Sequence, residues 1–176
     1  MNNCYYELAK KSTISKDLLE LAFNTSGWTP YFKNHSPNPK QIHTYEQYYK
    51  LVPASILVKD DLFKWLFDTY EFTAAIMRID PYSCYNWHKD SRRGAGINMA
   101  LNPNVRSFCV FANDINEFSF PIKELAYKPN TYYLFNTQQN HTVYNFEQTR
   151  YMFTVKFKKN KDEFSYEDLL NAARIY

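Results

Sequence analysis

The spacing of apolar residues changes along the chain and divides it into two predicted parts. Within residues 1–71, apolar positions recur at helical spacing after Ser15 and again over 60–70, so we expect a helix at each place. Residues 44–51 predict a further short helix, and three prolines within 29–40 predict a long loop. The rest of the chain has short runs rich in aromatic and β-branched residues, which are typical of strands.

Eight short strands are predicted in the second part, with turn signals between them. They cover residues 73–79, 85–90, 96–101, 107–112, 122–127, 131–136, 141–145 and 150–157. Strands of this number and spacing favour a sandwich or a jelly roll. Ser165 begins a capping-box pattern that predicts a last helix, 165–174. We therefore expect one domain, 1–176, with a helical and loop region (1–71), a β core (72–158) and a C-terminal helix.

The last predicted strand, 150–157, has two different faces. Its apolar face should pack beneath the N-terminal helices and consists of Tyr151, Phe153, Val155 and Phe157. The other face carries Arg150, Met152 and Thr154. Because an unpaired buried charge costs several kcal/mol, an arginine that points into a jelly roll indicates an anion bound there.

Composition and charge exclude several classes of protein. The 176 residues include only three glycines, so no glycine-rich phosphate loop is present. A net charge of +3 does not indicate a nucleic-acid partner, and no apolar run is long enough to span a membrane. The first residues lack the features of a signal peptide. Three cysteines (Cys4, Cys84 and Cys109) favour neither disulfides nor a zinc site, so we expect a reducing, cytoplasmic location.

The candidate chemistry lies in three residues of the β part. His88 and Asp90 are two positions apart, so on an extended segment their side chains point the same way. His141 begins a later predicted strand. Two imidazoles and one carboxylate suit a non-haem Fe(II) centre with open coordination positions. Arg150, nine residues after His141, would face the same cavity, and its guanidinium could bind a carboxylate bidentately.

This ordered set, His88-x-Asp90, then His141, then Arg150, resembles the Fe(II)/2-oxoglutarate-dependent dioxygenases. The neighbouring residues extend the resemblance, most closely to the aspartyl/asparaginyl β-hydroxylase-like and proline-hydroxylase-like members. They are Pro81 and Trp87 before the first histidine, the segment 128–136, and the "H-x-V-x-N" pattern of 141–145. The resemblance covers about 72–157. It departs at Asn130, where glycine is usual, and in a slightly short interval between His141 and Arg150.

The resemblance implies a double-stranded β-helix, which is a jelly-roll or cupin-like fold, with the N-terminal helices on the outer face of one sheet. His88, Asp90 and His141 would be metal ligands and the catalytic centre. 2-Oxoglutarate would chelate Fe(II) through its 1-carboxylate and 2-oxo groups, Arg150 would bind its distal carboxylate, and O2 would take the remaining position.

The implied reaction hydroxylates an unactivated carbon and releases succinate and CO2. The subfamilies favour an amino acid, free or within a peptide, as substrate, whereas a nucleobase or another small metabolite stays open, as does the oligomeric state. The alternative is a non-catalytic or differently reacting metal-binding jelly-roll protein.

Further candidates each have two interpretations. Asn98 either contacts the 2-oxoglutarate carboxylate or is a solvated strand amide. Arg92 and Arg93 either bind a negative group of the substrate or lie free in solvent. The aromatic residues of the long loop, Trp28, Tyr31 and Phe32, either cover the substrate or pack the loop onto the barrel.

Overall fold

The computed structural model describes residues 3–31, 47–113, 115 and 120–175. Most of the proline-containing loop, including Phe32, lies outside these ranges, as does the start of the helix predicted over 44–51.

The described part of the chain forms two antiparallel sheets and four helices. The strands are β1 (Tyr5–Lys11), β2 (Thr29–Pro30), β3 (Gln47–Leu51), β4 (Phe72–Ile79), β5 (Ser83–His88), β6 (Ala95–Ala100), β7 (Ser107–Ala112), β8 (Ile122–Leu125), β9 (Thr131–Asn136), β10 (Asn140–Asn145) and β11 (Arg150–Phe157). The helices are α1 (Ser15–Phe23), α2 (Ala54–Leu57), α3 (Asp61–Thr69) and α4 (Tyr166–Ile175).

The connectivity of β4 to β11 is that of a double-stranded β-helix. The larger sheet has the order β1-β9-β6-β11-β4-β3-β2, and the smaller sheet has the order β5-β10-β7-β8. The chain therefore passes repeatedly between the two sheets, and a cavity lies between their inner faces. The predicted mainly β, jelly-roll fold with flanking helices is confirmed.

The helices pack on the outer face of the larger sheet, as predicted. Phe153 and Val155 of β11 are fully buried there against Leu18 of α1 and Leu66 of α3. Helix α3 begins after Asp60, whose carboxylate accepts a hydrogen bond from the Leu62 amide at 3.0 Å. Because the helices cover this face, the apolar residues of β11 form the main core, and the opposite face of the strand is left for the cavity.

Asp60 also connects separate parts of this core. Its carboxylate, 3% exposed, accepts hydrogen bonds from the Thr13 amide at 2.9 Å and from the Tyr132 hydroxyl at 3.1 Å. The connection joins the segment before α1 to β9 and to the start of α3. Among the described residues, no helix has the length and apolar character needed to cross a membrane.

The predicted helix over 44–51 is wrong for its described part, because Gln47–Leu51 is strand β3, and β1 was not predicted. In β3, Gln47, Tyr49 and Leu51 line the cavity, which is the period of two of a strand. Lys50, on the other face, is 6% exposed, and its ammonium donates to the carbonyls of Leu21 and Asn24 at the end of α1. A buried lysine in this position conceals the alternation that would otherwise indicate a strand.

Candidate metal centre

The pairing of β5 with β10 brings the two candidate histidines together. His88 and His141 are direct register partners, and their ring centroids are 4.1 Å apart. Asp90 follows the end of β5, and its Oδ1 lies 3.6 Å from Nε2 of His88. One potential ligand atom from each of the three side chains falls within 4.8 Å of the others. His141, which is distant in sequence from His88 and Asp90, therefore joins them in one cluster.

Backbone carbonyls orient both imidazoles. Nδ1 of His88 lies 2.7 Å from the carbonyl oxygen of Asn86, and Nδ1 of His141 lies 2.9 Å from that of Gln139. A carbonyl can only accept, so each Nδ1 carries the proton and each Nε2 keeps a free lone pair. Metal-binding histidines commonly have such a hydrogen bond at the second nitrogen.

Burial and the proximity of the two rings also keep both imidazoles neutral, and a histidine must be neutral to bind a metal. Burial lowers the pKa of His88, and burial together with the neighbouring His88 lowers the pKa of His141 to about 4. Two neutral imidazoles and one carboxylate are the donor set of non-haem Fe(II) sites with open positions, so these residues fit that metal.

Asp90 has a charged partner, Arg93, that was not predicted from the sequence. Nε and Nη2 of Arg93 both lie 2.7 Å from Oδ2 of Asp90. Arg93 lines the cavity, whereas the adjacent Arg92 is exposed and is absent from the cavity lining. The two arginines proposed together for substrate binding are therefore in different environments.

A cavity of about 290 Å³ extends from the three candidate ligands to Arg150. Arg150 is 4% exposed, and its Nη1 donates to the Ser107 hydroxyl at 2.7 Å. Its buried Nε has no hydrogen-bond partner among the described residues. A buried guanidinium with an unused donor is costly unless an anion binds beside it, so this end of the cavity fits a carboxylate.

Tyr127 completes the Arg150 end of the cavity and was missed from the sequence. Its hydroxyl interacts with the side chains of Asn98 and Cys109, and burial raises its pKa well above the usual range. The Arg150 guanidinium lies 5.3 Å from the centre of its ring. Asn98 also lines the cavity, and its side chain is hydrogen-bonded to the Tyr127 hydroxyl.

Three tyrosines and one amide line another part of the cavity wall. Tyr31 and Tyr49 meet edge to face at 6.4 Å, and the ring of Tyr85 lies 4.2 Å from that of His88. Burial raises the pKa of Tyr85 to about 12. Gln47 also lines the cavity, and its buried Oε1 has no hydrogen-bond partner within the part of the chain that the structure describes. These four described residues give this part of the wall an aromatic, uncharged surface.

Trp28, the other described aromatic residue of the predicted long loop, lies away from this wall. It packs against Tyr151, with ring centroids 6.1 Å apart, and its indole nitrogen donates to the Asn24 carbonyl at 3.2 Å. It belongs to the helix side of the larger sheet, where Tyr151 also packs. Of the two candidate loop aromatics that are described, only Tyr31 therefore lines the cavity.

Comparison with known proteins identifies the fold through structure alone. No protein-family model matches the sequence, and no curated protein matches it. The fold, by contrast, is similar to those of solved prolyl hydroxylases and of non-haem α-ketoglutarate-dependent enzymes.

Three solved structures illustrate the likeness. A Pseudomonas putida prolyl-4-hydroxylase aligns with a TM-score of 0.60 at 12% identity, over 89% of this chain and 93% of that one. A Trichoplax adhaerens prolyl hydroxylase, in complex with a peptide of the hypoxia-inducible-factor oxygen degradation domain, aligns with a TM-score of 0.63 at 14% identity, over 88% of this chain and 83% of that one. A viral collagen prolyl hydroxylase of Paramecium bursaria Chlorella virus-1, in complex with 2-oxoglutarate, aligns with a TM-score of 0.52 at 14% identity, over 88% of this chain and 95% of that one. At such identities the likeness establishes the fold.

Proposed function

We propose that the protein is an Fe(II)- and 2-oxoglutarate-dependent oxygenase that hydroxylates an unactivated carbon. The observation that carries this proposal is one cavity with His88, Asp90 and His141 at one end and the buried, incompletely bonded Arg150 at the other. Bound Fe(II) and 2-oxoglutarate would supply the oxidising chemistry, in which O2 is consumed, 2-oxoglutarate becomes succinate and CO2, and one oxygen atom enters the substrate.

The residues at each end have distinct roles in this proposal. His88, Asp90 and His141 hold the metal through two Nε2 atoms and one carboxylate oxygen. Arg150 binds the distal carboxylate of 2-oxoglutarate through its free donors, and Ser107 keeps the guanidinium in place without adding a competing negative charge. Asn98 supports the same end indirectly, since it holds the Tyr127 hydroxyl.

The substrate would approach along the wall formed by Tyr31, Tyr49 and Tyr85. An amino-acid side chain, free or within a peptide, fits this uncharged aromatic surface, and the buried Oε1 of Gln47 could accept a hydrogen bond from it. One of the similar structures is a complex with a peptide, which supports a peptide as one form of the substrate. The free thiols Cys4, Cys84 and Cys109 support a reducing, cytoplasmic location.

An anaerobic titration followed by exposure to oxygen tests the function. Fe(II) and 2-oxoglutarate together should give a visible charge-transfer band that neither gives alone, and the band should be absent in His141→Ala. Admission of O2 should then yield succinate, and a panel of amino acids and peptides should contain compounds that accelerate its formation. A band without succinate would identify a non-catalytic or differently reacting metal-binding jelly roll. Absence of the band would refute the proposed centre.

A further inference from the structure

We propose that Arg93 is a positioning residue of the metal site, an inference that rests on the proposed function and adds a residue to it. Nε and Nη2 of Arg93 both bond Oδ2 of Asp90 at 2.7 Å, while Oδ1 lies 3.6 Å from Nε2 of His88. One carboxylate oxygen is therefore held by two donors, and the other faces the imidazoles. Arg93 thus makes Asp90 a ligand through one oxygen only.

The backbone of the same turn is tied to the segment that precedes His141. The Asp90 amide donates to the Thr137 carbonyl at 2.9 Å, and the Thr137 hydroxyl donates to the Arg93 carbonyl at 2.5 Å. The Gln138 side-chain amide donates to the carbonyls of Asp90 and Arg93 at 2.9 and 2.6 Å. Four hydrogen bonds thereby fix the two ends of the Asp90–Arg93 turn relative to the strand that carries the third ligand.

The outer side of the turn is packed against the C-terminal segment. A Cβ atom at Gly94 would collide with the carbonyl oxygen of Phe164, so only glycine permits this close approach. The Lys161 amide also donates to the Arg92 carbonyl at 2.8 Å. The backbone of the Asp90–Arg93 turn is therefore fixed by the segment before His141 on one side and by the C-terminal segment on the other. A residue that orients a metal ligand needs such a fixed backbone.

Charge provides a second reason for this arrangement. The Asp90 side chain is only 13% exposed and that of Arg93 is 27% exposed, so a lone carboxylate here would be poorly solvated. Arg93 compensates the charge and leaves Oδ1 available to a cation. Because two guanidinium nitrogens are engaged in this way, the main contact of Arg93 is with a ligand residue.

Three variants test the inference with Co(II) as the probe. Arg93→Met should weaken Co(II) binding roughly 10- to 100-fold, the usual effect of removing a partner of a metal ligand. It should also change the visible Co(II) spectrum, because Asp90 can then rotate and coordinate through both oxygens. Arg93→Lys keeps the charge but offers one nitrogen, so affinity should recover in part and the altered spectrum should persist. Arg92→Met removes the adjacent, exposed arginine and should leave affinity and spectrum as in the wild type.

The outcomes separate this inference from the proposed function. If the wild-type protein binds no Co(II), the metal centre itself is wrong. If the wild type binds Co(II) and both Arg93 variants bind it with the same affinity and the same spectrum, the positioning role is refuted. Circular dichroism and melting temperature establish that each variant is folded. Should Arg93→Met fail to fold, the spectrum of Arg93→Lys against Arg92→Met decides the question.

Discussion

Replacing Arg150 with methionine should have opposite effects on ligand binding and on the ligand-free fold. Methionine has a similar length, so it fills the same space without the charge. In the ligand-free protein the guanidinium has a hydrogen bond to Ser107, and no other described residue bonds its Nε. Ser107 keeps a second bond, to the Tyr144 carbonyl at 3.2 Å. We therefore expect the ligand-free variant to be at least as stable as the wild type, because a buried, incompletely bonded charge is removed.

Binding of 2-oxoglutarate should weaken strongly in the same variant. A bidentate contact between guanidinium and carboxylate contributes about 1.5–3 kcal/mol to binding, so its loss should raise the Kd of 2-oxoglutarate roughly 12- to 150-fold. At 100 times the wild-type Kd, 2-oxoglutarate stabilises the wild type by about 2.7 kcal/mol. A variant with a Kd raised about 50-fold would gain only about 0.6 kcal/mol under the same conditions.

Thermal unfolding with inert Mn(II) measures both effects in one experiment. Melting temperatures are recorded for wild type, Arg150→Met and Lys156→Met, with and without 2-oxoglutarate. Lys156 is a cavity-lining but exposed cation, so its removal controls for loss of charge alone. An unchanged shift in Arg150→Met would mean that another residue binds the distal carboxylate, with Lys156 the next candidate. A ligand-free variant destabilised by several kcal/mol would mean that Arg150 mainly supports the fold.

Three further outcomes are expected. The unfolding free energy of the metal-free protein should fall as the pH decreases from about 6.5 to about 4, because the folded-state pKa of His141 is lowered to about 4 and the unfolded chain takes up the proton first. In His141→Gln the unfolding free energy should depend less on pH over this range, and the same slope as in the wild type would contradict this reasoning. Asp60→Ala should lower the unfolding free energy by about 2–4 kcal/mol in urea titrations, since it removes the acceptor of the Leu62 amide at the start of α3 and of the Thr13 amide. Its Co(II) affinity should be unchanged, because Asp60 is not in the cavity lining. Tyr31→Ala should reduce substrate-stimulated succinate formation more than unstimulated formation, and equal losses would place Tyr31 in support of the core.

The sequence predicted the parts of the fold that depend on local patterns. Strands 107–112, 131–136 and 150–157 have the predicted bounds, because their apolar residues alternate or run continuously between clear turn signals. The helix after Asp60 was also predicted, from its apolar spacing. Strand β3 was missed because its buried outer residue is a lysine satisfied by carbonyls of another element, which no local pattern reveals.

In the candidate site, too, some residues could be proposed from the sequence and others could not. The three proposed ligands and Arg150 were recognisable because their residue types and order suffice to suggest them. The partners of these residues were not, because Arg93 could equally have faced solvent and Tyr127 meets Asn98 only after separate strands have folded together. Tyr127 was discernible only as the end of a predicted strand.

The direct pairing of His88 with His141 has a consequence for local opening of the protein. Among the described strands, β5 pairs with β10 alone, so it is one edge of the smaller sheet, with β8 at the other, and it should fray more readily than the inner strands β10 and β7. A metal ion bound by residues of both strands would link them, so β5 could separate from β10 only after the ion had dissociated. Amide hydrogens of β5 should then exchange far more slowly with the ion bound, while those of the larger sheet change little. Retention of the metal and closure of this edge would be one cooperative event.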